Sequence, residues 1–160
     1  GTSFIGEANG SDKNYSFSIF TEKSCDMVHL FESAIDLLSY ATLLKLEGKE
    51  WRREHLLSLA GVYQPAKEIE KSKVPAALAR TLKMHPEVKT IVLHLDNDRI
   101  GRLATKAIST VIPKQYQVKD VPPKQGKDYN DLLCIKLNLA ITKREKRTKK
   151  NMSGYEKYER

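Results

Sequence analysis

Two short acidic segments carry the residue types with the clearest chemistry in this sequence. Glu32 directly follows the apolar run 27–31 (MVHLF), and Asp96 and Asp98 follow the apolar run 88–95 (VKTIVLHL). Carboxylate oxygens suit Mg²⁺, which usually takes one or two of them beside water and phosphate oxygens. Taken alone, an acidic pair after a strand is often a turn or a helix cap, and a lone glutamate is usually a surface residue. A shared site therefore depends on whether the fold brings the two segments together.

The pattern around these residues alternates between strand and helix. Strands are predicted at 27–31, 56–60, 88–95 and 116–121, and helices at 34–47, 75–84, 100–111 and 129–141. Ser33 and Asp36 resemble a capping box, and Gly48 is a plausible helix stop. This order predicts an α/β fold with a central parallel sheet and helices on both faces.

Right-handed crossovers place the carboxyl ends of all parallel strands at one edge of the sheet, where such folds bind ligands. Glu32, Gly61 and Asp96 each follow a predicted strand. We therefore expect these three segments to meet, and the acidic residues to form one site.

Residues near the acidic pair add to this expectation. Gly101 lies early in a predicted helix, where glycine costs about 1 kcal/mol relative to alanine. That cost indicates close approach of a neighbouring strand or a phosphate. Asp98 can also cap this helix. Arg99 and Arg102 can reach phosphates, although arginine on a helix surface is commoner without that role.

The segments FESAID at 31–36 and DNDRIGRLA at 96–104 together resemble the Toprim domain of bacterial primases, type IA topoisomerases and related nucleases. That family has a glutamate after its first strand and an Asp-x-Asp with a following glycine after a later strand. LAG at 59–61 resembles the family's small-residue turn. KDYND at 127–131 resembles the Lys-Asp-x-Asn-Glu segment of phage helicase-primases, with Asp131 in place of the glutamate. The resemblance covers about 28–133.

The resemblance implies Mg²⁺, or Mn²⁺, held by Asp96 and Asp98, with Glu32 completing the metal site or acting as general acid or base. Arg99, Arg102 and Lys127 are the candidates for contact with bound DNA or RNA, and Gly101, Asp128 and Asp131 are further candidates at the site; Asp128 can equally be a helix cap. The family includes polymerising, cleaving and non-catalytic members. The expected function is therefore primase-like nucleotidyl transfer or nuclease cleavage, and the alternative is a non-catalytic nucleic-acid-binding or interaction module.

Two other acidic-site folds match the layout less well. Haloacid-dehalogenase phosphatases place their aspartate pair after the first strand, whereas here the pair follows the third predicted strand. Receiver domains have an acidic pair after strand one and a single aspartate after strand three, which is the reverse of this order.

Three regions are expected along the chain. Residues 1–24 predict a β-hairpin from the runs 2–5 and 15–20, interpreted as a possible remnant of a preceding domain, as in mobile-element proteins that the sequence resembles. Residues 25–141 form the Toprim-like domain. Residues 142–160 are predicted as a disordered tail or linker, and 143–150 hold six basic residues and one acidic residue, most of the net charge of +8. Such a run is either solvated or a contact for nucleic acid.

Composition limits the remaining classes. Apolar residues make up 40% and charged residues 30%, and no apolar run is long enough to span a membrane. Cys25 and Cys134 are too far apart in sequence to predict a disulfide framework or a zinc site, so a cytoplasmic location is expected. The four histidines are scattered, and His94 is expected in the core or on the sheet rather than as a ligand. Because Gly1 opens the chain, we expect a longer protein whose other domains are its partners.

Overall fold

The structure, a computed structural model, describes residues 9–59, 61 and 63–139. Five strands form one sheet in the order β1-β3-β2-β4-β5. The strands are β1 Ser18–Ile19, β2 Met27–Phe31, β3 His55–Ser58, β4 Thr90–His94 and β5 Gln117–Asp120. β2, β3, β4 and β5 pair in parallel, and β1 pairs antiparallel with β3. The α/β fold with a mostly parallel sheet is as predicted.

Four helices cover the two faces of this sheet. They are α1 Ala34–Leu46, α2 Ala76–Met84, α3 Arg99–Val111 and α4 Tyr129–Lys136. Alternate residues of a strand point to opposite faces, and the core divides accordingly. One cluster joins Val28 and Leu30 of β2 to α2 and α3. The other joins Phe31 to α1 and α4.

The helix boundaries follow local signals that the sequence carries. Ser33 is the N-cap of α1, and its hydroxyl accepts a hydrogen bond from the amide of Asp36. Gly48, just after α1, has a positive φ of 70°, which glycine adopts without strain. Pro75 lies at the N-cap of α2. Helix α4 ends at Lys136, earlier than predicted, because Asn138 takes a left-handed φ of 53°.

The second strand of the predicted amino-terminal hairpin is shorter than predicted. Of the run 15–20, only Ser18–Ile19 is a strand, and it pairs with Leu56 and Leu57 of β3. The run 2–5 lies outside the described residues. Ser18 and Ile19 thus extend the main sheet at its β3 edge. The tail at 142–160 also lies outside the described residues. Within the described part of the chain, none of the helices has both the length and the apolar character needed to cross a bilayer.

Candidate functional site

The carboxyl edge of the parallel sheet collects the acidic residues singled out in the sequence. Phe31 pairs with His94 at the ends of β2 and β4, so Glu32 and Asp96 leave the sheet at the same edge. The turn after β3 joins them, because the amide of Gly61 donates to the carbonyl of Glu32 at 3.0 Å. Gly61 has a φ of 113°, which explains why a glycine stands there.

Lys127 lies between the two aspartates. Its ammonium is 2.8 Å from Oδ2 of Asp96 and 3.4 Å from Oδ2 of Asp98. Backbone pairing fixes this arrangement, because the amide of Asn97 donates to the carbonyl of Lys127 at 2.7 Å. The loop before α4 is therefore held against the turn after β4, and it brings one positive charge to the acidic edge.

The edge carries more negative charge than this ammonium balances. Burial, and then the neighbouring carboxylates of Asp96, Asp98 and Asp36, raise the pKa of Glu32 to about 7 against the pull of Lys127. Burial also raises the pKa of Asp96, although its hydrogen bond to Lys127 opposes the change. A cation bound at this edge would be attracted electrostatically by each of these carboxylates.

Asp98 serves two purposes at once. It is the N-cap of α3, and its Oδ1 accepts from the amides of Ile100 and Gly101 at 3.0 and 2.8 Å. Burial opposes ionisation, yet these amides and Lys127 hold the pKa of Asp98 below its usual value. Its Oδ2 faces the lysine instead. Asp98 is therefore the helix cap that the sequence allowed, and its Oδ2 still faces the site.

Gly101 allows α3 to begin directly against the turn that holds Asp96. A Cβ built on Gly101 would lie 2.1 Å from the carbonyl oxygen of Asp96 and 2.9 Å from its Cα. The close approach that the sequence predicted is therefore to the backbone of Asp96, just past the end of β4. The glycine brings the first turn of α3 and the two aspartates into one compact unit.

The two arginines differ in their surroundings. Arg102 is occupied within the protein, because it donates to the carbonyls of Leu95 and Asp96 and pairs with the carboxylate of Asp120 at 2.8 Å. These contacts tie the ends of β4 and β5 to α3. Arg99 is the first residue of α3 and is exposed. Of the two, Arg99 is the one available to a phosphate.

The segment 127–131 begins helix α4. Asp128 is the N-cap and accepts from the amide of Asp131 at 2.7 Å, while the Asp131 carboxylate accepts from the amide of Lys127 at 3.0 Å. These reciprocal bonds set the backbone that presents Lys127. Burial raises the pKa of Asp128. Asp128 and Asp131 therefore position Lys127 by shaping the loop.

The donor set at this edge fits a hard cation such as Mg²⁺. Glu32, Asp96 and Asp98 offer oxygen ligands only, and the two aspartates already hold a positive charge. Among the described residues, the carboxylate oxygens of these three side chains do not all come within 4.8 Å of one another. Lys127 occupies the space between the aspartates, so an ion there would replace or move the ammonium.

Beneath this edge is a buried chain of polar side chains that the sequence did not suggest. Nδ1 of His29 is 2.7 Å from Nε2 of His94, and Nδ1 of His94 is 2.7 Å from the hydroxyl of Tyr129. Nε2 of His29, on the other side of the ring, lies 2.6 Å from Oε2 of Glu54. His94 is in the core, as expected. The parallel register of β2 and β4 accounts for this contact. His94 pairs with Phe31, and His29 lies two residues before Phe31 on the same face of the sheet.

The chain is similar to a family of proteins, to one curated protein and to a solved structure. A family model described as Toprim-like matches residues 29–133. A 65 kDa protein of Zymomonas mobilis subsp. mobilis is 31% identical to the chain, over 92% of the chain and 25% of that protein. The chain thus spans about a quarter of the length of this curated relative. The crystal structure of the primase fragment of the bacteriophage T7 primase-helicase protein aligns with a TM-score of 0.42 and 19% identity, over 71% of this chain and 40% of that one.

The family match covers about two thirds of the chain and includes both acidic segments and Lys127. From this match, the chain belongs to the Toprim-like family.

Proposed function

We propose that this chain carries a Mg²⁺-dependent site for phosphodiester chemistry on DNA or RNA, either primase-like nucleotidyl transfer or nuclease cleavage. Membership in the Toprim-like family supports nucleic-acid-related chemistry in general. The observation that carries the finer proposal is the position of Lys127, whose ammonium is held by Asp96 and Asp98 at an edge where Glu32 is also surrounded by carboxylates.

In this proposal Asp96 and Asp98 hold Mg²⁺ or Mn²⁺, and Glu32 completes the site. The ion, when bound, offsets the negative charge that builds up on a phosphate during substitution. Alternatively, Glu32 acts as the general acid or base. Burial raises its pKa to about 7 when no ion is present, and a cation held by the two aspartates would lower that pKa. The proposal assigns no covalent nucleophile.

Two basic side chains would orient the phosphates of the nucleic acid. With a cation held by Asp96 and Asp98, the Lys127 ammonium would no longer balance their charge and would be free to contact a phosphate oxygen. Arg99 is exposed at the amino end of α3, beside the same turn, and guanidinium groups bind phosphates through paired hydrogen bonds. The chain covers a quarter of the length of its Zymomonas relative. We therefore include in the proposal that other domains of a longer protein bind the template or the nucleotide.

Metal binding is tested first, by calorimetry with Mg²⁺. We expect the wild-type signal to disappear in a chain carrying Asp96→Asn and Asp98→Asn, because too few hard ligands remain. Asp26→Asn is the matched control, since Asp26 is an exposed carboxylate before β2, at the opposite edge. An isotherm that the double variant leaves unchanged would place the metal elsewhere.

Activity is tested on labelled single-stranded DNA and RNA, with and without nucleoside triphosphates. Asp96→Asn should abolish metal-dependent cleavage or nucleotide transfer while nucleic-acid binding persists. Glu32→Gln should slow the reaction by about 10²- to 10⁴-fold if Glu32 transfers a proton. If the wild-type chain binds metal and nucleic acid but shows no metal-dependent reaction, the non-catalytic binding module replaces the enzyme.

A further inference from the structure

A second group of potential metal ligands lies at the amino edge of the sheet, opposite the acidic site. His55 is the first residue of β3. His85 is the C-cap of α2, and Glu87 lies in the turn that leads to β4. β3 and β4 both run parallel to β2, so their first residues lie at the same edge. A strand of four or five residues, about 13–17 Å long, separates this edge from Asp96.

The three side chains converge closely. Nδ1 of His85 is 3.3 Å from Oε1 of Glu87, and Nε2 of His55 is 3.9 Å from the same oxygen. One ligand atom from each residue lies within 4.8 Å of the other two. A tetrahedral zinc ion with bonds of about 2.0–2.2 Å sets its donor atoms about 3.3–3.6 Å apart. Small rotations of the two rings would close the group to that spacing.

The ring of His55 packs against Phe20 and His85, but its polar atoms are left unpaired in the described part of the chain. Its side chain is 1% exposed, and neither ring nitrogen has a hydrogen-bond partner there. Nε2 of His85 is also buried without a partner among the described residues. Buried polar atoms normally have partners, because leaving them unpaired costs free energy. A metal ion would satisfy a nitrogen of His55 that the protein alone leaves unsatisfied.

We propose that His55, His85 and Glu87 bind a transition-metal ion of the Zn²⁺ class, separately from the Mg²⁺ of the acidic edge. Imidazole ligands favour Zn²⁺ and its neighbours over Mg²⁺, which selects oxygen. Phe20 packs against both histidine rings and holds them in place. The Glu87 side chain is 39% exposed, so an ion held here would be accessible from solvent on that side. The ion would tie the start of β3, the end of α2 and the approach to β4 together.

The test uses the metal-stripped chain carrying Asp96→Asn and Asp98→Asn, so that the acidic edge does not contribute. Titration with Co²⁺ should give one equivalent of tetrahedral-type visible absorption, which Zn²⁺ then removes. A thiolate charge-transfer band would instead indicate Cys25 or Cys134 as ligands and would overturn the proposal. Zn²⁺ should also raise the Tm of this chain.

Glu87→Gln, which keeps the side-chain shape, and His85→Ala should each weaken Co²⁺ binding by about 100-fold or more, since even outer-shell changes at metal sites cost 10- to 100-fold. Glu22→Gln, an exposed carboxylate in the loop before β2, is the control and should bind as the parent does. Circular dichroism without metal verifies that each variant folds. Equal affinity in the parent, Glu87→Gln and His85→Ala, or no saturable binding by the parent, overturns the proposal.

Discussion

Replacing Gly101 by alanine tests whether the acidic turn and helix α3 form one close-packed unit. In an ordinary helix this change is favourable by about 1 kcal/mol, because glycine has the greater backbone freedom to lose. Here the new Cβ would lie 2.1 Å from the carbonyl oxygen of Asp96, more than 1 Å inside an ordinary contact. The obstacle is backbone, so no side-chain rotation relieves it.

The structure therefore sets two opposing effects. Overpacking of this kind costs about 3 kcal/mol, and the gain in helix propensity returns about 1 kcal/mol. We expect Gly101→Ala to lower the free energy of unfolding by about 2 kcal/mol. The relief of the clash must also shift Asp96 or Asp98, because Asp98 caps the same helix turn. Mg²⁺ binding should weaken along with stability.

Urea unfolding at fixed pH measures the first effect, and calorimetry with Mg²⁺ measures the second. Ser109→Ala is the matched control, because Ser109 is exposed within the same helix and its replacement should stabilise by about 0.5 kcal/mol. If Gly101→Ala proves as stable as the wild type, the close contact between α3 and the turn is not real. The explanation for the glycine would then fail.

Three further outcomes follow from the structure. Burial lowers the pKa of His94 from 6.5 to about 3, so between these values the unfolded chain binds a proton that the folded chain does not. The contribution of His94 to stability is full above pH 6.5 and should fall by about 2 kcal/mol by pH 5, while the raised pKa of Glu32 acts in the opposite direction over the same range. Urea unfolding of His94→Gln against pH should show that fall reduced. Ser33→Ala and Asp128→Ala, which remove the caps of α1 and α4, should each cost about 1 kcal/mol in the same assay, and no loss would mean that the caps do not form. Truncation after Ile141 should flatten the salt dependence of nucleic-acid binding, since it removes eight basic residues, six of them in the run 143–150; an unchanged slope would assign the tail no phosphate contacts.

The sequence was informative where a signal is local. The apolar run 27–31 became β2 at those bounds, and Ser33 and Gly48 marked the ends of α1 because caps and turns depend on adjacent residues. Asp128 was recognised as a possible helix cap for the same reason. The parallel order then followed from alternation alone, and it brought Glu32 and Asp96 to one edge.

Features that depend on distant residues were missed. The pairing of β1 with β3 cannot be read from turn residues, because a strand edge accepts any extended segment of suitable register. The scattered histidines form two close pairs, His29 with His94 and His55 with His85, only after the sheet and α2 are in place. Similarly, Arg102 was a candidate for phosphate binding, and its engagement with Asp120 depends on the position of β5.

The proposed chemistry depends above all on a divalent ion bound between Asp96 and Asp98. Crystals of the chain soaked in Mn²⁺, with data collected where manganese scatters anomalously, test this directly. We predict an anomalous peak bonded to oxygens of both aspartates, with the Lys127 ammonium moved from the 2.8 Å contact that it makes with Asp96. An ammonium still seated between the aspartates at saturating Mn²⁺, with no peak beside them, would contradict the account.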